Sequence, residues 1–338
     1  AAAAALAVAG LLAVAAAACF KPGARGEANS LIVVHPDEEL WAEVEEATYD
    51  VLEPTIFTVR EEKKFYVQPV DTAAAGDFSE LRTFRQVLIF GTPDNRFVEW
   101  VADEADVDDP RPGQILRASG IWAEGQIVTA VVLDPDDRAG SWREALPELG
   151  ETIDGTYRDF VRRRMFTTGA DSEAADSLED RFGFRVRFPR VYDVTVRNEG
   201  EGPVAIRNDN PEPSQLIRSL LVDWRSPPLD SLTPGEAYRW RDAVDSLHYV
   251  VAQAIDTTRR NSVERLEVSG RPALEVTGVW SDEGTDFPAG GPFIARLVQC
   301  PERTYFLDAW LYAPGKDKYQ YVLQLRELLD GFSCGSSP

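Results

Sequence analysis

The stretch PFIARLVQCPERTYFLDAWLYAP, residues 292–314, contains two apolar runs separated by a short polar turn. Two similar runs, VERLEVSG (263–270) and RPALEVTGVW (271–280), precede it, and the tight turns between them predict an antiparallel meander. The segment 316–332 follows, and its helical spacing predicts a closing helix that buries one apolar face. The residues on that face are Val322, Leu325, Leu329 and Phe332.

Helices and strands alternate through the rest of the chain. The clearest helix is TPGEAYRWRDAVDSLHYVVAQAI (233–255), where Thr233 and Glu236 form a capping box with Pro234 at the first helical position. Its predicted buried stripe is Ala237, Trp240, Val244, Leu247 and Val251. The run LIVVH (31–35) and the run FRQVLIFGTP (84–93) are typical of buried strands. We therefore expect an α+β protein of two domains, each a mostly antiparallel sheet packed by helices.

Changes in composition predict where the domains begin and end. Residues 1–18 are expected to be a signal segment and residues 19–30 a lipidated tether. An N-terminal α+β domain is expected over 31–175 and a C-terminal one over 176–334. The polar stretch 168–182 between them is predicted to be exposed to proteases.

Charge and motif content exclude several classes of function. The 338-residue chain has a formal net charge of −22, which disfavours nucleic acid and charge-driven binding to an anionic bilayer. Only two histidines occur, and no HExxH, CxxC, GxSxG, P-loop or GxGxxG pattern is present. We therefore expect no cofactor, no metal and no catalytic residue that a motif would identify.

Cys19 stands at the end of an alanine-rich tract and directly before the polar segment KPGARGEANS. Small residues at the three preceding positions resemble the lipobox of bacterial lipoproteins, in which the cysteine is acylated and becomes the mature N-terminus. Ala16 stands where leucine is usual, and no basic n-region or initiator Met precedes the tract. The alternatives are an uncleaved membrane anchor, for which the tract is weakly apolar, and a buried helix. Cys19 is therefore predicted to carry lipid.

Cys300 and Cys334 remain as an even pair once Cys19 is acylated. Cys300 ends a predicted strand, and Cys334 lies just beyond the closing helix that should pack on the same sheet. Disulfides persist in the oxidising compartments to which a lipoprotein is exported. A Cys300–Cys334 bridge is predicted, and two unpaired thiols are the alternative.

Short motifs give the chain a family resemblance. IWAEGQIV (121–128), FGFRVRFPRVYDV (182–194) and the segment 287–329 resemble an uncharacterised family of bacterial envelope lipoproteins, domain-of-unknown-function family 4837. The resemblance implies a lipid-anchored envelope protein with no established activity. The turn Gly270-Arg271-Pro272-Ala273, the meander and the closing helix also resemble, by element order, a domain found in the photosystem protein PsbP and in a Ran-binding protein.

Two groups of residues are candidates for a site. Gly290, Gly291, Pro292 and Phe293 could form a functional loop, because paired glycines allow close backbone approach and proline fixes the exit; a purely structural turn is the alternative. Trp122 and Gln126 could line a pocket, although an aromatic residue in a strand is more often part of the core.

Other polar features have simpler interpretations. The acidic run 103–109 lacks the spacing of an EF-hand, and Arg162–Arg164 is typical of a solvated helix end. His248 is expected to be packed beside its helix stripe, and His35 to pair with Asp37.

The function expected from these observations is binding or scaffolding of an unidentified envelope protein or ligand by a non-catalytic protein. The expected location is the cell envelope, at the inner or the outer membrane; the outer membrane, facing the periplasm or the surface, is favoured because Phe20 rather than aspartate follows Cys19. An envelope hydrolase that uses paired carboxylates is the alternative function.

The predicted anchor can be tested by replacing its sulfur. Cys19→Ala should leave a soluble or unprocessed protein, because acylation requires the thiol. Metabolic labelling with a fatty-acid analogue measures this, and label that survives the substitution would contradict the assignment.

Overall fold

The computed structural model of the chain describes residues 21–71, 78–198, 201–209, 215–249, 252–282 and 289–335. The predicted signal segment and Cys19 lie outside the described residues. The chain divides into two compact units: unit 1 comprises the residues up to Pro54 with Lys63–Tyr157, and unit 2 comprises Thr55–Glu62 with the residues from Arg158 onward. No helix in the described ranges is both long enough and apolar enough to span a membrane.

The first half of the chain builds a five-stranded sheet in the order β4-β1-β5-β7-β6, while β2 and β3 pair only with each other. The elements are β1 (Ser30–His35), α1 (Glu38–Leu52), β2 (Thr55–Phe57), β3 (Glu61–Lys63), β4 (Tyr66–Asp71), α2 (Phe78–Leu81), β5 (Gln86–Gly91), α3 (Arg96–Glu104), β6 (Ile115–Ser119), β7 (Ile127–Val132) and α4 (Arg138–Met165).

The pairing in this sheet corrects the expectation for the first domain. β1 runs parallel to both β4 and β5, β5 runs parallel to β7, and only β6 is antiparallel to its neighbour β7. The mostly antiparallel sheet predicted for residues 31–175 is therefore wrong. The cause is visible in burial: β5 is buried at every position, as expected of a parallel strand covered on both faces by helices.

Helices cover both faces of the unit 1 sheet. On one face, α3 packs Phe97, Val98 and Val101 against alternate residues of the strands. On the other face, Trp142 of α4 stacks on Phe90, with ring centroids 4.1 Å apart. The Trp142 indole Nε1 also donates to the Thr48 hydroxyl of α1 at 2.8 Å. The two helices of that face are thus joined to each other and to β5.

The segment expected to be a flexible tether is bound to the unit 1 fold. Gly23 forms a parallel bridge with Glu124, and Arg25 forms one with Phe84. The Ala24 amide donates to the Glu124 carbonyl, and the Glu124 amide donates to the Pro22 carbonyl, both at 2.8 Å. The described part of the tether, from Lys21 to the start of β1, is therefore held in place by backbone hydrogen bonds.

Unit 2 contains an antiparallel eight-stranded sheet in the order β12-β14-β15-β16-β11-β10-β9, with β13 also paired to β14. This confirms the predicted meander and the α+β class, with antiparallel pairing predominant over the described strands. Its elements are α5 (Ser172–Phe182), β8 (Phe184–Val186), β9 (Asp193–Val196), β10 (Val204–Asn208), β11 (Ile217–Arg225), α6 (Pro234–His248), β12 (Ala254–Ile255), β13 (Ser262–Val268), β14 (Arg271–Asp282), β15 (Ala289–Gln299), β16 (Thr304–Tyr312), α7 (Tyr319–Asp330) and β17 (Phe332–Cys334).

The unit 2 sheet is also covered on both faces. Trp240 and Val244 of α6 pack on one face with Phe293 and Phe306. Leu325 and Leu329 of α7 pack on the other with residues of β11, β15 and β16. The Thr233 hydroxyl accepts the Glu236 amide at 3.2 Å, as the capping box predicts. Leu247 is an exception to the predicted stripe, since it lies at the end of α6 and is 75% exposed. Val251 of that stripe lies outside the described residues.

The polar stretch 168–182 is mostly helix. Its residues 172–182 form α5, and Ala175, Leu178 and Phe182 are buried in the unit 2 core. The expectation of a protease-sensitive linker is therefore wrong, because an apolar stripe at helical spacing lies within the polar composition. The unit boundary falls inside α4, between Tyr157 and Arg158, rather than between residues 175 and 176.

The predicted disulfide between Cys300 and Cys334 is confirmed, with Cα atoms 6.0 Å apart. Cys300 follows β15, and Cys334 ends β17, which pairs antiparallel with β8. The bridge therefore joins the chain after the closing helix to the meander.

Removing this bridge should destabilise unit 2. With a sequence separation of 34 residues, Cys300→Ala with Cys334→Ala should lower the free energy of unfolding by about 3–4 kcal/mol in the chain-entropy description. Urea unfolding measures the loss of stability relative to a protein that keeps the disulfide. Both proteins carry Cys19→Ala. Thiol counting on the unfolded, unreduced Cys19→Ala protein should find no free thiol, and two would contradict the bridge.

Candidate functional site

The predicted functional loop at residues 290–293 is part of a strand. Gly290, Gly291, Pro292 and Phe293 lie in β15 and pair in register with residues 278–281 of β14. This corrects both interpretations of the motif, as a functional loop and as a structural turn. A Cβ atom on Gly291 would stand 1.8 Å from the Leu311 carbonyl oxygen, so glycine is required there by a close approach of backbone.

Trp122 and Gln126 lie in the loop 120–126, which the Gln126 side chain organises. The Gln126 side chain is fully buried; its Oε1 accepts the Trp122 amide at 3.1 Å, and its Nε2 donates to the carbonyls of Phe84, at 2.7 Å, and Arg82. The Trp122 ring is half-buried and meets Phe78 edge to face at 5.6 Å. This loop joins β6 to β7 and lies where β5 and β7 begin.

The two histidines have structural surroundings. His35 is buried and stacks on Trp41 at 5.2 Å, and its Nδ1 contacts the Asp37 carbonyl at 3.1 Å. The Asp37 carboxylate caps α1 at the Leu40 amide and pairs with Arg138. Burial lowers the pKa of His248, which is half-buried.

The acidic run 103–109 begins in the last residues of α3, and Arg162–Arg164 lie in the last turn of α4. The described residues contain no group of three or more His, Cys, Asp or Glu side chains placed to hold a metal ion, and this includes the run 103–109. Arg162 pairs with Glu327 of α7 at 2.9 Å, so one arginine of the run fastens helices within unit 2.

A buried polar network lies beneath α6, and sequence analysis missed it. Arg241 and Asp308 are both fully buried, and Arg241 Nε donates to Asp308 Oδ1 at 3.3 Å. Arg241 Nη1 also donates to the Gln253 carbonyl at 2.6 Å, and its guanidinium lies 4.1 Å from the Phe293 ring centroid. The Tyr249 hydroxyl donates to Asp308 Oδ2 at 2.8 Å. Both oxygens of the Asp308 carboxylate are therefore bonded.

The ionisable groups of this network have shifted pKa values. Burial raises the pKa of the Asp308 carboxyl, against the charge of Arg241. Burial, and then the charge of Asp308, raises the pKa of Tyr249 well above its usual range. Burial likewise raises the pKa of Asp245, whose Oδ1 accepts the Gln253 amide at 2.7 Å. Shifted carboxyls of this kind occur in active sites and in structural ion networks alike.

A second buried ion cluster lies on the face of the sheet that α7 covers. Arg296 Nε and Glu275 Oε2 are 2.7 Å apart, and both side chains are 2% exposed. Arg326 of α7 pairs with Glu275 at 3.0 Å, and Arg296 also reaches Asp330 at 2.7 Å. This cluster ties the closing helix to β14 and β15.

A cleft of about 550 Å³ opens beside the disulfide in unit 2. Its floor is fixed by the Tyr305 hydroxyl, which donates to the carbonyls of Phe182 at 3.0 Å and Gly183 at 2.7 Å. Gly183 ends α5 with φ +72, a left-handed conformation that favours glycine. The charged residues of the lining have both signs: Glu179, Asp180 and Glu302 against Arg181 and Arg303. The cleft is therefore lined by backbone held in place by Tyr305 and by charged side chains of both signs.

Unit 2 is thus defined as an α+β domain in which helices cover both faces of an antiparallel sheet. Residues 171–330 match the model of a family described as Domain of unknown function (DUF4837). The family resemblance is therefore confirmed for these residues, which include α5, the sheet, both ion clusters and most of the cleft lining.

Similarity to solved structures is low. The cyanobacterial PsbP of Synechocystis sp. PCC 6803 shares 14% identity, covers 45% of this chain and 86% of its own, and has a TM-score of 0.30. A crystal structure from Bacteroides thetaiotaomicron VPI-5482 shares 8% identity, covers 46% of each chain and has a TM-score of 0.27. No curated protein is significantly similar in sequence.

If the buried network beneath α6 is structural, its disruption should cost stability. Asp308→Asn should lower the free energy of unfolding by about 3–5 kcal/mol, because it leaves the Arg241 charge buried and unpaired. Tyr249→Phe should cost about 1.5–3 kcal/mol through loss of one hydrogen bond to a carboxylate. Urea unfolding measures both changes.

Asp242→Asn is the matched control, since Asp242 is an exposed residue of the same helix and should change stability by less than about 0.5 kcal/mol. A folded Asp308→Asn protein that is more stable than the original would indicate a strained functional site instead.

Proposed function

We propose that the protein is a lipid-anchored, non-catalytic binding protein of the bacterial cell envelope, and that it binds a partner protein at the cleft beside the Cys300–Cys334 disulfide. The observation that carries the proposal is that the carboxyls with raised pKa values, Asp245 and Asp308, are not among the residues that line the cleft. Asp308 and Tyr249 are bonded to each other in the interior of the sheet, whereas an enzyme would bring such groups to a cavity.

The hydrolase alternative is less well supported by this geometry. Burial raises the pKa values of Asp245 and Asp308, yet a chain of hydrogen bonds through Gln253 and Arg241 links the two carboxylates. Neither carboxylate is among the residues that line the cleft. A pair of catalytic carboxylates requires room for substrate between them.

The lining of the cleft suits a polypeptide with charges of both signs. The Tyr305 hydroxyl already donates to the carbonyls of Phe182 and Gly183, and burial raises its pKa. Asp180, Arg181 and Glu302 on the rim can each pair with an opposite charge on a partner. A volume of about 550 Å³ accommodates a few side chains of such a segment.

The envelope location rests on Cys19 and on the disulfide. Acylation at Cys19 would hold the protein at a membrane, and the outer membrane, facing the periplasm or the surface, is favoured by Phe20 at the next position. The disulfide fits an oxidising compartment, since such bonds are rare in the cytosol.

Photo-cross-linking in intact cells tests the binding site. A photoreactive residue in place of Glu302 should give one discrete adduct, whereas the same residue in place of Glu264, an exposed position on β13, should not. Reversing the rim charges with Asp180→Lys and Arg181→Glu should reduce the adduct from position 302 about tenfold, as expected for loss of roughly 1.4 kcal/mol.

The two substitutions together leave the net charge of the protein unchanged, so a smaller adduct could not be caused by a change in net charge. Equal adducts from positions 302 and 264, or an adduct that survives the reversal undiminished, would contradict the proposed site.

A further inference from the structure

The N-terminal segment approaches unit 1 at one loop. Lys21 Nζ donates to the Gly120 carbonyl at 2.7 Å, and the backbones of Pro22 and Ala24 bond to Glu124 at 2.8 Å. Residues 21–24 therefore run along the loop 120–126 and are fixed there by several hydrogen bonds. Any group attached just before Lys21 must emerge at this edge of unit 1.

Cys19 is two residues before Lys21, and its acylation is part of the proposed function on which this inference rests. Two extended residues span at most about 7 Å. A lipid on the Cys19 sulfur would thus bring the membrane surface close to the loop 120–126. The short connection limits how far unit 1 could move away from the bilayer.

An aromatic patch, defined by Trp100, Trp122, Phe97 and Phe78, lies beside this loop. Trp100 is 44% exposed, and its ring contacts Phe97 at 5.5 Å and Trp122 at 6.1 Å. Phe78 and Phe97 are buried, so they support the tryptophans from below. An exposed tryptophan on a rigid aromatic base suits a membrane interface, where one side of the ring is apolar and the other is hydrated.

Exposed charges of both signs lie around this patch. Although the whole chain has a net charge of −22, the N-terminal segment 21–27 and the loops that it contacts are balanced in their exposed charges. These exposed residues are Lys21, Arg25 and Arg82 against Glu27, Glu80 and Glu124. On α3 itself, exposed Arg96 stands against exposed Glu99, Asp103 and Glu104, so the contact suits a zwitterionic surface rather than an anionic one.

We propose that the aromatic patch is a membrane-contact surface, with Trp100 inserted at the headgroup boundary of the bilayer that holds the Cys19 lipid. The occupant is the lipid surface itself. The acyl chains retain the protein, and the patch fixes which edge of unit 1 faces the membrane.

Quenching by brominated lipid tests the contact on the full, acylated chain. The protein is reconstituted into phosphatidylcholine vesicles, with or without bromine at a shallow acyl position, and tryptophan fluorescence is compared. We expect clear quenching in brominated vesicles, and a Trp100→Phe protein should lose about half of it or more, since Phe keeps the ring packing but not the indole. Trp224→Phe, the same change at a half-buried tryptophan of unit 2, should leave the quenching unchanged.

A second variant tests whether the short connection between Cys19 and Lys21 holds the patch at the membrane. Inserting about ten Gly and Ser residues between Phe20 and Lys21 keeps both the lipid and the patch but adds a flexible spacer. Quenching that depends on Trp100 should then fall, because the short connection no longer holds the patch at the surface.

The outcomes separate the two proposals. If fatty-acid label is present on Cys19 but Trp100→Phe changes nothing, the contact is overturned and the anchor stands. If no label is incorporated, the anchor fails and the contact with it. If Trp100→Phe converts a dimer into a monomer in detergent, a second copy covers the patch, and the membrane contact is also overturned.

Discussion

The ion pair of Arg241 and Asp308 is the constraint on which unit 2 depends. Both faces of the central strands are covered by helices, so a carboxylate in the middle of β16 has no access to water and must be paired. Its partner comes from α6, and the Tyr249 hydroxyl satisfies its second oxygen. Apolar packing alone would allow α6 to slide along the sheet. We infer that the buried pair fixes the position of the helix, because any shift would leave two charges unpaired in the interior.

The opposite face is held by the same kind of interaction. Glu275 and Arg296 face α7, and Arg326 of that helix completes the cluster. The disulfide then fixes the chain just beyond α7, at β17. In addition to their apolar stripes, α6 is thus located by a fully buried ion pair, and α7 by the pairing of its partly exposed Arg326 with the buried Glu275. The energetic gain from such pairs over apolar residues is small, but the cost of breaking one is large, and this difference favours a single arrangement.

Sequence patterns correctly predicted the structural features that depend on residues close together in the chain or on the number of cysteines. The meander, the Thr233 cap and the pairing of Cys300 with Cys334 all follow from residues whose spacing or parity can be read along the chain. The unit 1 sheet was predicted wrongly because its order joins strands that are distant in sequence. The sequence did contain a signal for parallel pairing, since LIVV and VLIF are uninterrupted apolar runs separated by helices, as is typical of parallel sheets. The buried network was missed because pairing across 67 residues leaves no motif. Arg241 within the stripe of α6 was the available signal, since a charge at a core position requires a partner.

The bound N-terminal segment would affect how unit 1 is oriented on the membrane more than how strongly the proposed anchor holds it there. The proposed acyl chains would already provide stable attachment, at about 0.8 kcal/mol for each buried methylene group, so one tryptophan would add little to retention. A flexible tether would leave the attached protein free to tumble above the membrane. With the proposed lipid on Cys19, a segment bound from Lys21 onward would remove that freedom, because little chain would remain between the lipid and the folded edge. The hydrogen bonds of residues 21–25 would then give a non-directional hydrophobic attachment a single preferred edge of unit 1.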